Sequence, residues 1–432
     1  MNKLIRLKSL IILAFLHVIA INCFADDISS QTYDFHLKGN FIWRSELDAR
    51  DFSTNTYPLT SSVFRVAAGV EKTVWDNFTF CTIAQDNWQA GDSGRSNLHI
   101  QQAYIDISYL LRTNISFKVG RFEQKYGLGN FVSSSDWMIN PNYFDGFILN
   151  YKHEKYFIDA FLFDQHYANK YTEIPVPNDY FRPALASNDA SMLGLWYGHD
   201  DFEGNLTNAF ITYEYDLSKN SGNKPKLQRL SCGADYLMKI DDFSLQTNLT
   251  LQIGQSSRLI NNLPLSAYDA GLSAQYNYWY FKFIAGAEIM SGNKVTDSSA
   301  DHAFIAVYRD KHLFNGKMGY FASQANIEYL GLQDYYFSLR IEPLGSKVTG
   351  YIDLHQFLAY KPLTLSSGGL SNIFGQELDI AVKYNFSQDA KLELGSSVFN
   401  PKCTMKELWK DCAGKIRADV SYWFYIAMSY KF

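Results

Sequence analysis

The sequence predicts an all-β protein, a single transmembrane up-and-down barrel of about 18 antiparallel strands with short periplasmic turns and long extracellular loops. Three observations support this prediction. Residues 420–432 alternate apolar positions with polar or amphipathic ones, the same alternation recurs along the chain, and a secretory signal precedes it. A strand of a soluble sandwich also alternates, so the repetition behind an export signal is what favours the barrel.

The start of the chain predicts export. Residues 1–25 resemble a secretory signal, with a basic start, a short apolar run and a small-x-small cleavage site that ends at Ala25. We expect one mature domain, residues 26–432. The whole chain has a net charge of −5, and loss of the basic signal makes the mature protein more acidic, which argues against nucleic acid as a partner.

Composition narrows the class of membrane protein. No later segment approaches the roughly 20 uninterrupted apolar residues of a spanning helix, which excludes helical membrane proteins. The 30 tyrosines, 32 phenylalanines and 8 tryptophans fit the aromatic girdles of a barrel. A barrel of this size is too wide for its own side chains to fill, so we expect a lumen that holds water or is narrowed by loops, and hence transport.

The strands follow from the alternation. The first is predicted to end at Arg44, before a polar loop at residues 45–59, and the second begins near Phe64. At residues 243–254 the outward positions are apolar and the inward ones are amides and hydroxyls, whereas residues 377–386 have inward charges of both signs. Short turns are predicted at residues 112–114, 152–155, 239–242, 343–347 and 387–390, and long loops at 167–190, 255–266, 291–301 and 361–372.

Several motifs lie between and within these strands. The first set is Gln101-Gln102-Ala103-Tyr104-Ile105-Asp106, Val119-Gly120-Arg121, Tyr126-Gly127-Leu128-Gly129, Trp137 and Phe144-Asp145-Gly146. The second set is Ala287-Glu288-Ile289-Met290-Ser291-Gly292, Ala303-Phe304 through Tyr308 and His312 to Phe314-Asn315-Gly316, and Phe374-Gly375-Gln376-Glu377-Leu378-Asp379 with the terminal strand. In this combination, which covers most of the chain from about Gln101 onward, the sequence resembles the alginate-export family of outer-membrane channels.

The resemblance implies a monomeric 18-stranded barrel in the outer membrane of a Gram-negative bacterium. It implies outer-membrane lipid and a hydrophilic solute as partners, in some members an acidic polysaccharide, and no cofactor. The mixed inward charges leave small-solute uptake or general diffusion open as the alternative. An enzyme or an adhesin is less expected, because no nucleophile elbow or metal-ligand spacing occurs and the outward faces offer no pair of Ser and His.

A constriction is predicted where a long loop begins. Its charged residues are Lys118, Arg121, Glu123 and Asp145. Strict alternation puts Arg121 on the lipid side, so the prediction includes a bulge at Gly120 that turns Arg121 inward beside Lys118. The alternative, given equal weight, is that Arg121 and Asp145 form a structural ion pair that ties the loop to the wall.

The remaining candidates fall into four groups. Loop or gate residues are Tyr126, Gly127, Gly129 and His312, where the glycines permit sharp turns and the lone histidine is weak support for a metal. Lumen-wall residues are Arg65, Glu377, Asp379 and Lys383. Cys403 and Cys412 either bridge or remain two free thiols. Tyr430 and Phe432 are expected to form an assembly signal that the outer-membrane insertion machinery reads.

Overall fold

The computed structural model describes residues 35–50, 58–74, 77–90, 97–110, 113–134, 137, 139, 141–166, 189–201, 204–219, 225–256, 263–297, 299–306, 308–310, 313–322, 324–409 and 420–432. These residues form 18 strands and two short helices. The strands are β1 Phe35–Ala49, β2 Leu59–Val74, β3 Phe78–Gln89, β4 His99–Ile107, β5 Ile115–Phe122, β6 Phe144–His153, β7 Tyr156–His166, β8 Asp189–Asp200, β9 Leu206–Lys219, β10 Pro225–Ile240, β11 Phe243–Ser256, β12 Leu263–Tyr278, β13 Phe281–Met290, β14 Leu332–Ile341, β15 Val348–Thr364, β16 Leu370–Asn385, β17 Ala390–Pro401 and β18 Ser421–Lys431. The helices are a 3-10 turn at Gln324–Ile327 and α1 at Cys403–Leu408.

The sheet closes on itself. Every strand pairs antiparallel with its neighbours in sequence, and β18 pairs with β1 from Asn40↔Lys431 to Ala49↔Tyr422. Closure leaves no unpaired strand edge, which a sheet in lipid requires. The predicted up-and-down barrel is therefore confirmed. None of the helices in the described residues is long and apolar enough to cross a membrane.

The two faces of the strands follow the predicted alternation. In β11, Leu249, Leu251 and Ile253 lie outward and are about half exposed, at 49%, 45% and 55%. The intervening Asn248 and Gln252 are buried inside. An apolar outer surface is solvated by lipid chains, and an amide-rich inner surface finds its hydrogen-bond partners in the lumen.

Three predicted boundaries are wrong. Strand β2 begins at Leu59, before the predicted start near Phe64. Strand β1 continues past Arg44 to Ala49, because its inward charged residues pair with one another: Arg44 donates to Glu46, and Arg50 lies 2.5 Å from Asp48. The long loop predicted at residues 361–372 is a tight turn between Thr364 and Leu370. Gly368 donates its N–H to the carbonyl of Leu365 there, at 2.9 Å, and its φ of 91° suits glycine.

The core of the protein lies inside the barrel. It is built around the β5–β6 loop, residues 123–143, and the β13–β14 loop, residues 291–331, which together we call the plug. The second loop is much longer than the predicted loop at residues 291–301. The two loops join where Ser133 donates its N–H to the carbonyl of Tyr308 at 2.8 Å and Val132 bridges to Tyr308.

The plug packs against the wall through two aromatic clusters. The first contains Phe304, Tyr320 and Phe321 of the plug, against the inward rings of β15–β18; the second contains Tyr126, Phe131 and Val132, against the inward rings of β6–β9. The wall rings are Phe357, Phe374, Phe399, Trp423 and Tyr425 in the first cluster and Phe144, Phe161, Phe163, Trp196 and Phe210 in the second. The loop end of the lumen is therefore filled with protein.

Candidate functional site

A cavity of about 780 Å³ lies inside the barrel, between the plug and the short-turn end. Eight Lys or Arg and six Asp or Glu line it. One wall, from β11 and β12, presents amides and hydroxyls such as Gln246, Asn248 and Gln275; the opposite wall, from β14 to β17, is charged. A hydrophilic solute in this cavity meets hydrogen-bonding groups on one side and charges on the other.

The cations of the cavity are less fully paired than its acids. Arg340 binds Asp353 at 2.5 Å, and His355 Nδ1 lies 2.9 Å from Asp334. Lys125, Lys239 and Lys383, in contrast, also line the cavity, and in the described part of the chain no carboxylate pairs with any of them. Unpaired ammonium groups in a confined site favour anions.

Tyr351 gathers the charges of one wall. Lys383 Nζ donates to its hydroxyl at 3.2 Å and lies 5.2 Å from its ring centre, and the Arg340 guanidinium lies 4.9 Å from the same centre. Cation–π contact holds both side chains against the wall without neutralising them. Arg340 is paired with Asp353, whereas the charge of Lys383 remains available to a solute.

The first loop of the plug is anchored by Tyr126. Its ring stacks on Trp196 at 4.6 Å, and its hydroxyl donates to Asp159 at 2.7 Å. Burial, with the Asp159 carboxylate nearby, holds the pKa of Tyr126 well above its usual value, so it remains a neutral donor. The anchor thus combines packing with a charge-assisted hydrogen bond.

Gly127 and Gly129 make the turn into the lumen, with φ of 51° and 82°. The Leu128 N–H donates to Asp235 at 3.0 Å, and a Cβ on Gly127 would lie 2.8 Å from the other oxygen of that carboxylate. Glycine is therefore needed here both for its φ and for the close approach to Asp235.

The second loop presents residues 313–318 to the cavity, and we call this stretch the floor segment. Leu313, Phe314, Asn315, Gly316 and Lys317 all line the cavity. Asn315 and Gly316 have φ of 60° and 80°, so the amides that follow turn toward the wall. The Met318 N–H donates to Glu377 at 2.8 Å and the Lys317 N–H to Asp379 at 3.3 Å.

Arg121 does not turn inward. Strand β5 pairs with β4 and β6 without a register shift at Gly120, so the predicted bulge is wrong. Arg121 and Asp145 lie on the outer face with the exposed Val119 and Phe147. They form an ion pair of 2.6 Å, the arrangement given as the alternative, because a partner across the strands makes an outward charge tolerable.

Lys118 and Glu123 lie apart from that pair. Lys118 alternates inward, 3.6 Å from Asp106, and its ammonium lies 4.9 Å from the ring centre of Tyr104. Glu123, at the start of the plug, accepts a hydrogen bond of 2.8 Å from Gln101. The four predicted constriction residues are thus not brought together around one opening, and a constriction role for Lys118 and Glu123 stays a prediction.

All four predicted wall residues alternate with outward apolar side chains and so face inward, but only two line the cavity. Asp379 and Lys383 do so, whereas Arg65 and Glu377 are almost fully buried. Arg65 donates to Asn40 at 3.0 Å.

The other predicted residues lie at the edges of the described structure. His312 and Cys412 lie outside the described residues, as does the predicted signal, so the gate role of His312 and the bridge from the exposed Cys403 stay predictions. Tyr430 and Phe432 lie outward with rings stacked at 5.8 Å. The backbone of Phe432 exchanges hydrogen bonds of 2.9 and 3.0 Å with Gly39 of β1.

Sequence reasoning missed the charged contacts that hold the plug. Arg309 donates to both oxygens of Glu288, at 2.7 and 2.9 Å, and packs on Phe314 at 3.9 Å. Arg44 donates to the carbonyl of Trp137 at 2.8 Å and lies over its ring at 4.5 Å. The only sequence signal was the Phe314-Asn315-Gly316 turn, which marks the loop but not its partners. In the described part of the chain, no group of three or more His, Cys, Asp or Glu is placed to hold a metal.

A closed 18-stranded barrel with an apolar exterior and a charged, loop-plugged lumen defines a multi-pass channel of the outer membrane. Residues 64–407 match the family described as alginate export, so the chain belongs to that family. Its fold is similar to solved porins of Pseudomonas aeruginosa. OccK1 (OpdK) is 12% identical with a TM-score of 0.56, covering 92% of this chain and 98% of that one. OccK11 (OpdR) is 12% identical with a TM-score of 0.58, covering 92% and 95%. No curated protein matches the chain.

Proposed function

We propose that this channel carries an acidic polysaccharide across the outer membrane, as a monomer and without catalysing a reaction. Membership of the alginate export family supports the class of solute. The single structural observation that carries the proposal is the cavity, in which Lys125, Lys239 and Lys383 lack carboxylate partners among the described residues. These ammonium groups attract the carboxylates of a uronate chain.

The amide-rich wall suits the rest of such a solute. Gln246, Asn248 and Gln275 offer donors and acceptors that match sugar hydroxyls. A cavity with charges on one wall and amides on the other therefore fits a charged sugar better than a neutral one. Asp353 and Asp334 do not oppose this, because Arg340 and His355 lie against their carboxylates.

The test is single-channel recording in planar bilayers with added oligosaccharides. We expect oligouronates to interrupt the current at lower concentration than neutral oligosaccharides of equal length. Changing Lys125, Lys239 and Lys383 together to Gln should weaken that block severalfold, while Lys347→Gln on an exposed short turn should leave it unchanged. Equal block by neutral and acidic oligomers would contradict the proposal.

Small-molecule uptake is the competing function. A solved structure of similar fold is that of OpdK of Pseudomonas aeruginosa with vanillate, 13% identical with a TM-score of 0.56. If vanillate or another small aromatic carboxylate blocks the current more strongly than oligouronates, the chain is a small-solute porin instead. The same preparation gives the oligomeric state by light scattering, for which we expect a monomer.

Assembly by the outer-membrane insertion machinery belongs to this proposal. The outward aromatic residues of β18 supply the signal, and Phe432 lies where β18 meets β1. Outer-membrane lipid then solvates the apolar exterior.

A further inference from the structure

The inner face of β13–β17 carries a dense group of carboxylates. They are Glu288, Asp334, Asp353, Glu377, Asp379 and Glu393, and all but Glu393 are buried. Six acids on five adjacent strands repel one another unless cations or N–H donors face them. The groups that face these six carboxylates therefore compensate the negative charge of the wall.

Five of the six carboxylates contact the second loop of the plug. Arg309 binds Glu288, and Asn315 Nδ2 donates to Glu288 at 2.6 Å and to Asp334 at 3.3 Å. The backbone amides of Lys317 and Met318 donate to Asp379 and Glu377. Lys317 Nζ lies 3.9 Å from Glu393. The plug therefore supplies the nearest partners of Glu288, Glu377 and Asp379. The wall supplies those of the other three acids, with His355 at 2.9 Å from Asp334, Arg340 at 2.5 Å from Asp353 and the Tyr425 hydroxyl at 2.7 Å from Glu393.

The two acids of β16 depend most on the plug. Two consecutive amides after residues with positive φ form a concave anion-binding turn, and here the anions are Glu377 and Asp379. A Cβ on Gly316 would lie 2.5 Å from Glu377 Oε1, so the fit is close. Glu377 Oε2 and Asp379 Oδ1 remain buried without a hydrogen-bond partner in the described part of the chain. Buried carboxylate oxygens in this state are costly unless water reaches them.

We infer that the plug sets the sign of the channel's ion selectivity. With the floor segment in place, the wall carboxylates are masked and the cavity presents its unpaired lysines. With the floor segment withdrawn, the ring of carboxylates on the same lumen wall includes Glu377 and Asp379 without their amide donors, so it attracts metal cations such as K⁺ or Ca²⁺ and repels anions. This rests on the proposed function only in that the protein must conduct.

The first experiment compares two pairs of substitutions in the full chain. Arg309→Gln with Lys317→Gln removes the plug cations that face the ring, and Glu377→Gln with Asp379→Gln removes acids of the ring. Both pairs weaken the hold on the floor segment, so we expect both to conduct more than the wild type. In a KCl gradient, the reversal potential should move toward K⁺ selectivity for the first pair and toward Cl⁻ selectivity for the second.

Lys347→Gln removes a cation from an exposed short turn and should leave the reversal potential unchanged. If both pairs shift the reversal potential in the same direction, or neither shifts it, the inference is wrong. If neither pair nor the wild type conducts although all are folded, the proposed channel function itself fails.

A deletion provides an independent measurement should the paired variants not fold. Asn293 donates its N–H to the carbonyl of Tyr329 at 2.7 Å, so the two stems of the loop are already adjacent. Replacing residues 294–328 with a short Gly-Ser linker should give a wider pore that is selective for cations. A wider pore that keeps the wild-type selectivity would overturn the inference.

Discussion

Arg121 and Asp145 form a two-point ion pair on the outer face of the barrel, with Nε–Oδ1 at 2.7 Å and Nη2–Oδ2 at 2.6 Å. Arg121 also donates to the carbonyl of Ile100 at 3.2 Å and lies 5.0 Å from the ring centre of Tyr143. Asp145 stands directly opposite Asp164 in the register of β6 and β7. The arginine of β5 is therefore bound to groups of β4 and β6 on the outer face of the barrel, away from the lumen.

Changing Arg121 to Glu should lower thermal stability and leave ion selectivity alone. The change removes the pair and places a third acid beside Asp145 and Asp164. Because the pair is about one-third exposed, we expect a loss of about 1 kcal/mol, or roughly 1 °C in unfolding temperature for a chain of this length. Unfolding followed by heat-modified gel mobility measures the first effect, and reversal potential the second. A changed reversal potential with unchanged stability would restore the constriction role.

The strands could be predicted from the sequence, and the plug could not. Alternation is a local property, so the faces of β11 and β18 can be predicted within a dozen residues. The contact from Arg50 Nη1 to the carbonyl of Met318, at 3.2 Å, joins residues 268 positions apart, and no periodicity encodes it. The hydrogen bond from the Met318 N–H to Glu377 joins residues 59 positions apart, and no periodicity encodes it either.

Two predictions at charged residues are wrong, the end of β1 and the inward orientation of Arg121. The inward run of Arg44, Glu46 and Asp48 has the polarity of a loop, and only its mutual pairing shows that it belongs to β1. An outward arginine without a partner is costly in lipid, and the sequence alone does not show that Asp145 lies across from Arg121 in β6. Both errors come from charges whose partners are set by register.

Phe432 should affect assembly more than final stability. Its backbone joins β1 at Gly39, and its ring lies over that glycine, where a Cβ would meet it. Phe432→Ala keeps the backbone pairing and removes the outward aromatic residue. We expect less folded protein in outer membranes but a similar unfolding temperature for what does fold. Wild-type amounts of the variant in the membrane would contradict the assembly signal.

Cys403 and Cys412 are predicted to bridge after export. Cys403 begins α1 and is exposed, so oxidants reach it. Mass spectrometry of unreduced peptides from outer membranes should show the two residues in one linked product. Recovery of both as free thiols would remove the bridge, and Cys232, which is also exposed, provides the internal control for adventitious oxidation.

Gly127→Ala should loosen the first loop of the plug. An alanine at this position has to keep the positive φ of Gly127, which costs an L residue about 1–2 kcal/mol. Its Cβ also lies too close to the Asp235 carboxylate. Gly345→Ala is the matched control, because Gly345 has φ of 71° but open space around its Cβ position. We expect more frequent channel opening in Gly127→Ala and wild-type recordings in Gly345→Ala. Equal effects in the two variants would show that φ strain alone, not the fit to Asp235, matters.

Tyr126 should make the docking of the plug sensitive to alkali. Its pKa in the folded protein is raised above the usual value of 10.0, chiefly by burial and also by Asp159. A group whose folded-state pKa is raised contributes stability that is complete below the unfolded pKa and is lost as pH rises above it. We therefore expect channel opening to increase above about pH 10.

Tyr126→Phe separates the hydroxyl from the ring. It keeps the stacking on Trp196 but deprives Asp159 of a donor, which costs about 1–3 kcal/mol of docking free energy at neutral pH. Phenylalanine cannot ionise, so the variant should open more than the wild type at pH 7 and show a smaller further increase above about pH 10. The measurement is open probability across a pH series in planar bilayers, with Tyr109→Phe, an exposed position, as the control. An alkaline response as large in Tyr126→Phe as in the wild type would assign the effect to other groups.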